Sequence, residues 1–103
     1  MLKNWKNVAK KLAEAARRIL GDVEVMVFGS ITQGKYTAAS DIDVLVVIKD
    51  TPMGATKRAE LKAAIEEEAG LPPFHPIEIH LATKKEVEAN PIYWEVFHNG
   101  ERV

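Results

Sequence analysis

The sequence predicts an α+β (α/β-like) fold: a small mixed sheet of three or four strands, with helices packed on one face and the other face left open around carboxylates. Three observations lead there. Apolar residues recur at helical spacing near the start, and a second helix is expected from about Ala55 to Ala69, closed by Gly70. Two valine-rich runs, 23–28 and 43–48, have strand length and strand composition. Residues 76–81, Pro-Ile-Glu-Ile-His-Leu, alternate apolar with polar. The resulting order is α-β-β-α-β-α, and 103 residues form one domain, 1–103, large enough for a core.

The first helix places Trp5, Val8, Leu12, Ala15, Ala16, Ile19 and Leu20 on one side and lysines and arginines on the other, and Gly21 stops it. Between the first two strands lies a polar, turn-rich segment. Asp50-Thr51-Pro52 breaks the second strand. The helix that follows closes at Gly70 and is fenced off by Pro72-Pro73. In the third strand Ile77, Ile79 and Leu81 form the apolar side, and Glu78 and His80 the polar side. Lys84 to Glu88 is expected as a short helix. Asn90-Pro91 opens a last helical segment through Trp94 and Phe97, ending at Asn99-Gly100.

Composition excludes several functions. Hydrophobic residues make up 47%, charged residues 28%, and the net charge is −1, so no electrostatic argument points to nucleic acid or an anionic membrane. The absence of cysteine excludes disulfides and thiolate metal sites. The opening Met-Leu-Lys-Asn-Trp-Lys has no signal-peptide core and no run reaches transmembrane length, which makes a cytoplasmic location the expectation.

Chemistry concentrates in residues 29–43. Gly29-Ser30 follows the apolar run Val25-Met26-Val27-Phe28; ten residues later Asp41-Ile42-Asp43 leads into Val44-Leu45-Val46-Val47-Ile48. Alternation along a strand projects Asp41 and Asp43 from the same side. Carboxylates so placed repel one another unless a cation lies between them, and magnesium favours carboxylates together with phosphate oxygens. A glycine-led turn with a serine hydroxyl can hold the phosphates that accompany the metal. Glu78, on a neighbouring strand and flanked by core isoleucines, supplies a third carboxylate to complete the metal cage or accept a proton. Gly29-x-x-x-x-Gly34-Lys35 imitates a P-loop. However, the position after its lysine is Tyr36 instead of Ser or Thr, and no helix follows.

These residues resemble the DNA polymerase β-like nucleotidyltransferase superfamily: Gly-Ser, ten residues, Asp-x-Asp, with apolar strands on both sides. Gly34 and Ser40 match the extended form of the pattern, and the short chain is similar over its length to the minimal nucleotidyltransferases. The resemblance implies the polymerase β-like fold, a nucleotide held by Gly29, Ser30 and Ser40, and two Mg2+ ions held by Asp41, Asp43 and Glu78, the catalytic residues. Members of the family usually carry aspartate at the third acidic position, where this chain has Glu78. The resemblance further implies transfer of AMP from ATP to a hydroxyl of a partner, a helical HEPN protein, with this chain as the antitoxin of a toxin–antitoxin module. Larger enzymes of the superfamily grip the acceptor with extra domains. Here a docked protein or a second subunit is expected to supply the missing wall.

Other readings stay open at this point. Asp41 and Asp43 can serve as turn residues, and Glu78 and His80 as the solvated face of an antiparallel edge strand. His80 is expected to face solvent, with nucleotide contact as the alternative. Trp5, Tyr93, Trp94 and Phe97 are expected in the core or an interface, and His75 and His98 have no assigned role. Functionally, the competitors are a non-catalytic subunit that neutralises a partner by covering it, and an antibiotic-type transferase acting on a small molecule.

Overall fold

The computed structural model describes residues 5–28, 42–49, 54–71 and 77–103. Helix α1 (Trp5–Leu20) leads into β1 (Glu24–Phe28) and β2 (Ile42–Ile48); α2 (Ala55–Glu68) precedes β3 (Ile77–Thr83). Helices α3 (Lys84–Ala89) and α4 (Pro91–Asn99) and a short β4 (Glu101–Arg102) complete the chain. The strands form one mixed sheet in the order β3-β2-β1-β4. β1 pairs antiparallel with β2 and with β4, whereas β2 and β3 run parallel. The parallel pair follows from the connection: α2 carries the chain back so that β3 enters beside β2 in the same direction.

The period-two pattern of the strands determines which side chains meet. Val25, Val27, Ile42, Val44, Val46, Ile48, Ile77, Ile79 and Leu81 project to one face and join Ala9, Leu12, Ala13, Ala15 and Ala16 of α1 and Ile65 of α2 in the main core. Both long helices therefore cover this face, α1 through a continuous apolar stripe and α2 chiefly through Ile65, with Leu61 partly buried beside it. Each stops at a glycine in the left-handed region, Gly21 at φ 83° and Gly70 at φ 72°, a conformation that a Cβ disfavours. Arg18 ties α1 to α2 through Glu68, with Nε 2.9 Å from Oε1.

On the opposite face Met26, Leu45, Val47 and Ala82 are buried beneath Val87 of α3 and Val96 of α4, with Phe28, Tyr93 and Phe97 packed alongside. The two short helices thus cover part of the second face, and the carboxylates stand beside them. Local chemistry fixes the reversal. Thr83 and Glu86 form a capping box that starts α3, and the Asn90 side chain accepts from the N–H groups of Ile92 and Tyr93 to start α4, with Pro91 in the first turn.

Two details differ from the sequence reading. β3 extends through Ala82 and Thr83, beyond the expected end at Leu81, because the capping box at Thr83 sets where the helix begins. The fourth strand, which the sequence reading allows without locating, is β4: Glu101 and Arg102 pair with Val27 and Met26, and the Val103 N–H donates to the Val25 carbonyl, 3.0 Å away. Two strand residues carry too little pattern to be read. Their place is held by Arg102, which lies over the Phe97 ring at 5.0 Å and pairs with Glu24 at 3.2 Å.

An arginine clip joins the two helical layers around the edge strand. The Arg58 guanidinium of α2 pairs with both oxygens of Glu86 in α3, at 2.7 and 2.9 Å, and donates to the Leu81 carbonyl at 3.2 Å. These bonds, Arg58 first and then the Thr83 N–H, hold the Glu86 carboxyl below its ordinary pKa.

Candidate active site

Register places the polar residues. In the parallel ladder Asp43 is the partner of Glu78, and Leu45 the partner of His80; in the antiparallel ladder Phe28 is the partner of Asp43. Phe28, Asp43 and Glu78 therefore stand in one row across three strands, with His80 two residues further along β3 on the same face. Apolar neighbours make this register hard to slip. Ile42, Val44, Ile77 and Ile79 are buried on the far face, and a shift by one residue would bury both carboxylates instead.

One ligand atom from each of Asp43, Glu78 and His80 lies within 4.8 Å of the other two. His80 Nε2 is 3.5 Å from Asp43 Oδ1 and 4.0 Å from Glu78 Oε1. The first is at the long limit of a hydrogen bond and the second exceeds it, so the three groups surround a space more than they bond one another. Side-chain exposure is 27% for Asp43, 23% for His80 and 62% for Glu78, so the cluster is sunk on one side and open on the other. Two carboxylates and an imidazole so arranged are a donor set that fits a divalent cation.

His80 is the main departure from expectation. It is half-buried instead of solvated: its ring is 5.4 Å from that of Phe28, centroid to centroid, and 6.0 Å from that of Tyr93. The Tyr93 hydroxyl lies 3.3 Å from Nδ1, so both ring nitrogens face polar partners. Tyr93 reaches it only because α4 folds back over the sheet, which no local pattern announces. Among the described residues β3 is an edge strand, as in the edge-strand reading of Glu78 and His80, but it pairs there with β2 in parallel, not antiparallel.

Asp43 and Glu78 are brought together. Asp41, Gly29, Ser30 and Ser40, together with Gly34, Lys35, Tyr36 and His75, lie outside the described residues. His98 packs on Trp94, ring centroids 4.0 Å apart, with Nδ1 donating to the Trp94 carbonyl at 2.9 Å. Trp94 is exposed, as is Ile92. A cavity of about 330 Å³ at the other end of β2, lined by Asp22, Glu24, Ile48, Lys49 and Lys84 among others, is remote from the cluster.

Comparison with known proteins places this sheet and its acidic cluster in a family. The family model described as a nucleotidyltransferase domain matches residues 9–98, and the chain belongs to that family. It is similar to a protein from Sulfolobus solfataricus whose crystal structure was described as that of a candidate nucleotidyltransferase. The two are 25% identical, the match covers 88% of this chain and 74% of that one, and the TM-score is 0.64. No curated protein sequence matches the chain. The architecture is accordingly the small α+β nucleotidyltransferase fold, and nucleotidyl transfer is the activity its family carries.

Proposed function

We propose that the chain moves AMP from ATP onto a hydroxyl of a partner protein, as the antitoxin of a module whose other member is a helical HEPN protein. One observation supports the transferase part above all: Asp43 and Glu78 stand side by side on a partly open face, in a chain of the nucleotidyltransferase domain family. The protein acceptor and the module rest on the resemblance to minimal nucleotidyltransferases, and the exposure of Glu78 suits an acceptor that docks from outside.

Asp41, Asp43 and Glu78 are the residues that would hold magnesium: the Asp-x-Asp motif supports Asp41, and the pairing of Asp43 with Glu78 in the β2–β3 ladder supports the other two. When bound, a pair of such ions neutralises the triphosphate and acidifies the attacking hydroxyl. Gly29, Ser30 and Ser40 hold the phosphates through backbone N–H groups and hydroxyls. The acceptor oxygen attacks the α-phosphorus in line. The bond from that phosphorus to the bridging oxygen breaks, and pyrophosphate leaves. The acceptor's proton passes to Glu78, the more exposed of the two neighbouring carboxylates.

The test uses ATP labelled at either the α- or the γ-phosphate, with magnesium and a lysate or purified HEPN protein as acceptor. Transfer of the α-label and loss of the γ-label in pyrophosphate supports the reading. Label from the γ-position alone, or none from either, refutes it. Full neutralisation of a partner by the Asp41→Asn/Asp43→Asn protein would favour the covering subunit instead.

A further inference from the structure

We propose that His80 joins Asp43 and Glu78 as a protein ligand of the divalent-cation site, and that the site therefore takes Mn2+ or Zn2+ ahead of Mg2+. The inference rests on the metal part of the reading above, that Asp43 and Glu78 hold a cation, and adds a residue and a selectivity to it.

Distance comes first. Ligand atoms on a tetrahedral ion at about 2.0–2.1 Å lie roughly 3.3 Å apart. His80 Nε2 is 3.5 Å from Asp43 Oδ1 and 4.0 Å from Glu78 Oε1, and the three ligand atoms lie within 4.8 Å of one another, so closure needs shifts of up to roughly 1.5 Å. Glu78, the more distant partner, is also the most exposed and the freest to move. The outer contact comes second. A histidine that ligates through one nitrogen usually donates its other N–H to a fixed partner. The Tyr93 hydroxyl is 3.3 Å from Nδ1, placed to accept that N–H and leave the Nε2 lone pair facing the carboxylates. Third, the ring is held in place by Phe28 and Tyr93. A solvated edge-strand histidine has none of these contacts.

Chemical consequence follows from ligand type. Magnesium prefers an all-oxygen shell, whereas an imidazole nitrogen raises affinity for first-row transition ions, least for manganese and more for zinc. In a site of two carboxylates and one imidazole, His80 is the ligand that adds most to the discrimination against magnesium.

The test uses the metal ions without nucleotide. Mn2+, Zn2+ and Mg2+ are titrated into the purified protein by calorimetry, and the His80 ring nitrogens are followed by 15N NMR during the Zn2+ titration, with His98 as internal reference. The expected result is that Mn2+ and Zn2+ bind at least about tenfold more tightly than Mg2+. The Nε2 resonance of His80 should shift on Zn2+ addition while Nδ1 stays protonated and His98 is unmoved. His80→Ala should remove most of the preference and leave Mg2+ affinity within about twofold, and Tyr93→Phe should weaken Zn2+ by about tenfold. Zn2+ binding with a silent His80 ring, or unchanged Mn2+ and Zn2+ affinities in His80→Ala, overturns the proposal. Failure here is separable from failure of the transferase reading. AMP transfer with magnesium and a silent His80 keeps the latter alone, and zinc ligation by His80 without any nucleotide transfer keeps the former alone.

Discussion

Asp43 and Glu78 are register partners in the parallel β2–β3 ladder, so two carboxylates 35 positions apart in sequence share one row on one face of the sheet. Backbone pairing, not a flexible loop, sets their spacing, and the buried isoleucines and valines behind them fix the register. Carboxylates held this close repel each other without a cation.

Replacing Asp43 with asparagine should therefore separate activity from stability. Transfer of α-labelled AMP is expected to fall on the order of a hundredfold or more. The thermal midpoint should stay constant or rise slightly as repulsion with Glu78 is relieved. Labelling assays and a melting curve on the same preparation check both.

Glu78 allows a graded comparison. Glu78→Gln removes the negative charge at nearly constant shape and should lower transfer on the order of a hundredfold, whereas Glu78→Asp keeps the carboxylate and should retain a substantial part of the rate. Equal activity of Glu78→Gln and wild type would return Glu78 to the solvated face of an edge strand.

Much of this arrangement is legible in the sequence, for a physical reason. Periodicity reports which residues share a face, so the helix stripe of α1, the valine-rich strands and the alternation Ile77-Glu78-Ile79-His80-Leu81 already put Glu78 and His80 opposite the core. What periodicity cannot report is which strand lies next to which. The parallel pairing of β3 with β2, the two-residue β4 and the fold-back of α4 depend on tertiary contacts such as Arg102 on Phe97 and Arg58 on Glu86. The half-burial of His80 belongs to the same class, since Tyr93 reaches it from 13 residues further along the chain. Gly29, Ser30, Ser40 and Asp41 lie outside the described residues, and their roles rest on the motif.

The Arg58–Glu86 clip should be visible in acid. Its folded-state carboxyl is held below the ordinary glutamate value, so the stabilisation is fully present above that value and is lost as pH falls through the depressed one. Glu86→Gln should cost about 1 kcal/mol or less near neutrality, given that Glu86 is partly exposed to solvent. The difference from wild type should shrink toward zero in acid below the glutamate range. Urea unfolding at a series of pH values measures this, and a difference that grows toward low pH would contradict it.

Packing beneath the site makes a further contrast. Leu45 is fully buried and is the ladder partner of His80, so Leu45→Ala should destabilise by about 2–5 kcal/mol. Ile92→Ser on the exposed side of α4 should change stability by no more than about 0.5 kcal/mol. Denaturant midpoints of the two variants, measured side by side, check the pair.

The most direct measurement is magnesium-dependent transfer of the α-phosphate label from ATP to a protein acceptor, compared between wild type and the Asp41→Asn/Asp43→Asn protein. A labelled acceptor with wild type and none with the variant, both folded by circular dichroism, is the predicted result. Equal labelling by the two would contradict the assignment of the carboxylates as the reacting centre.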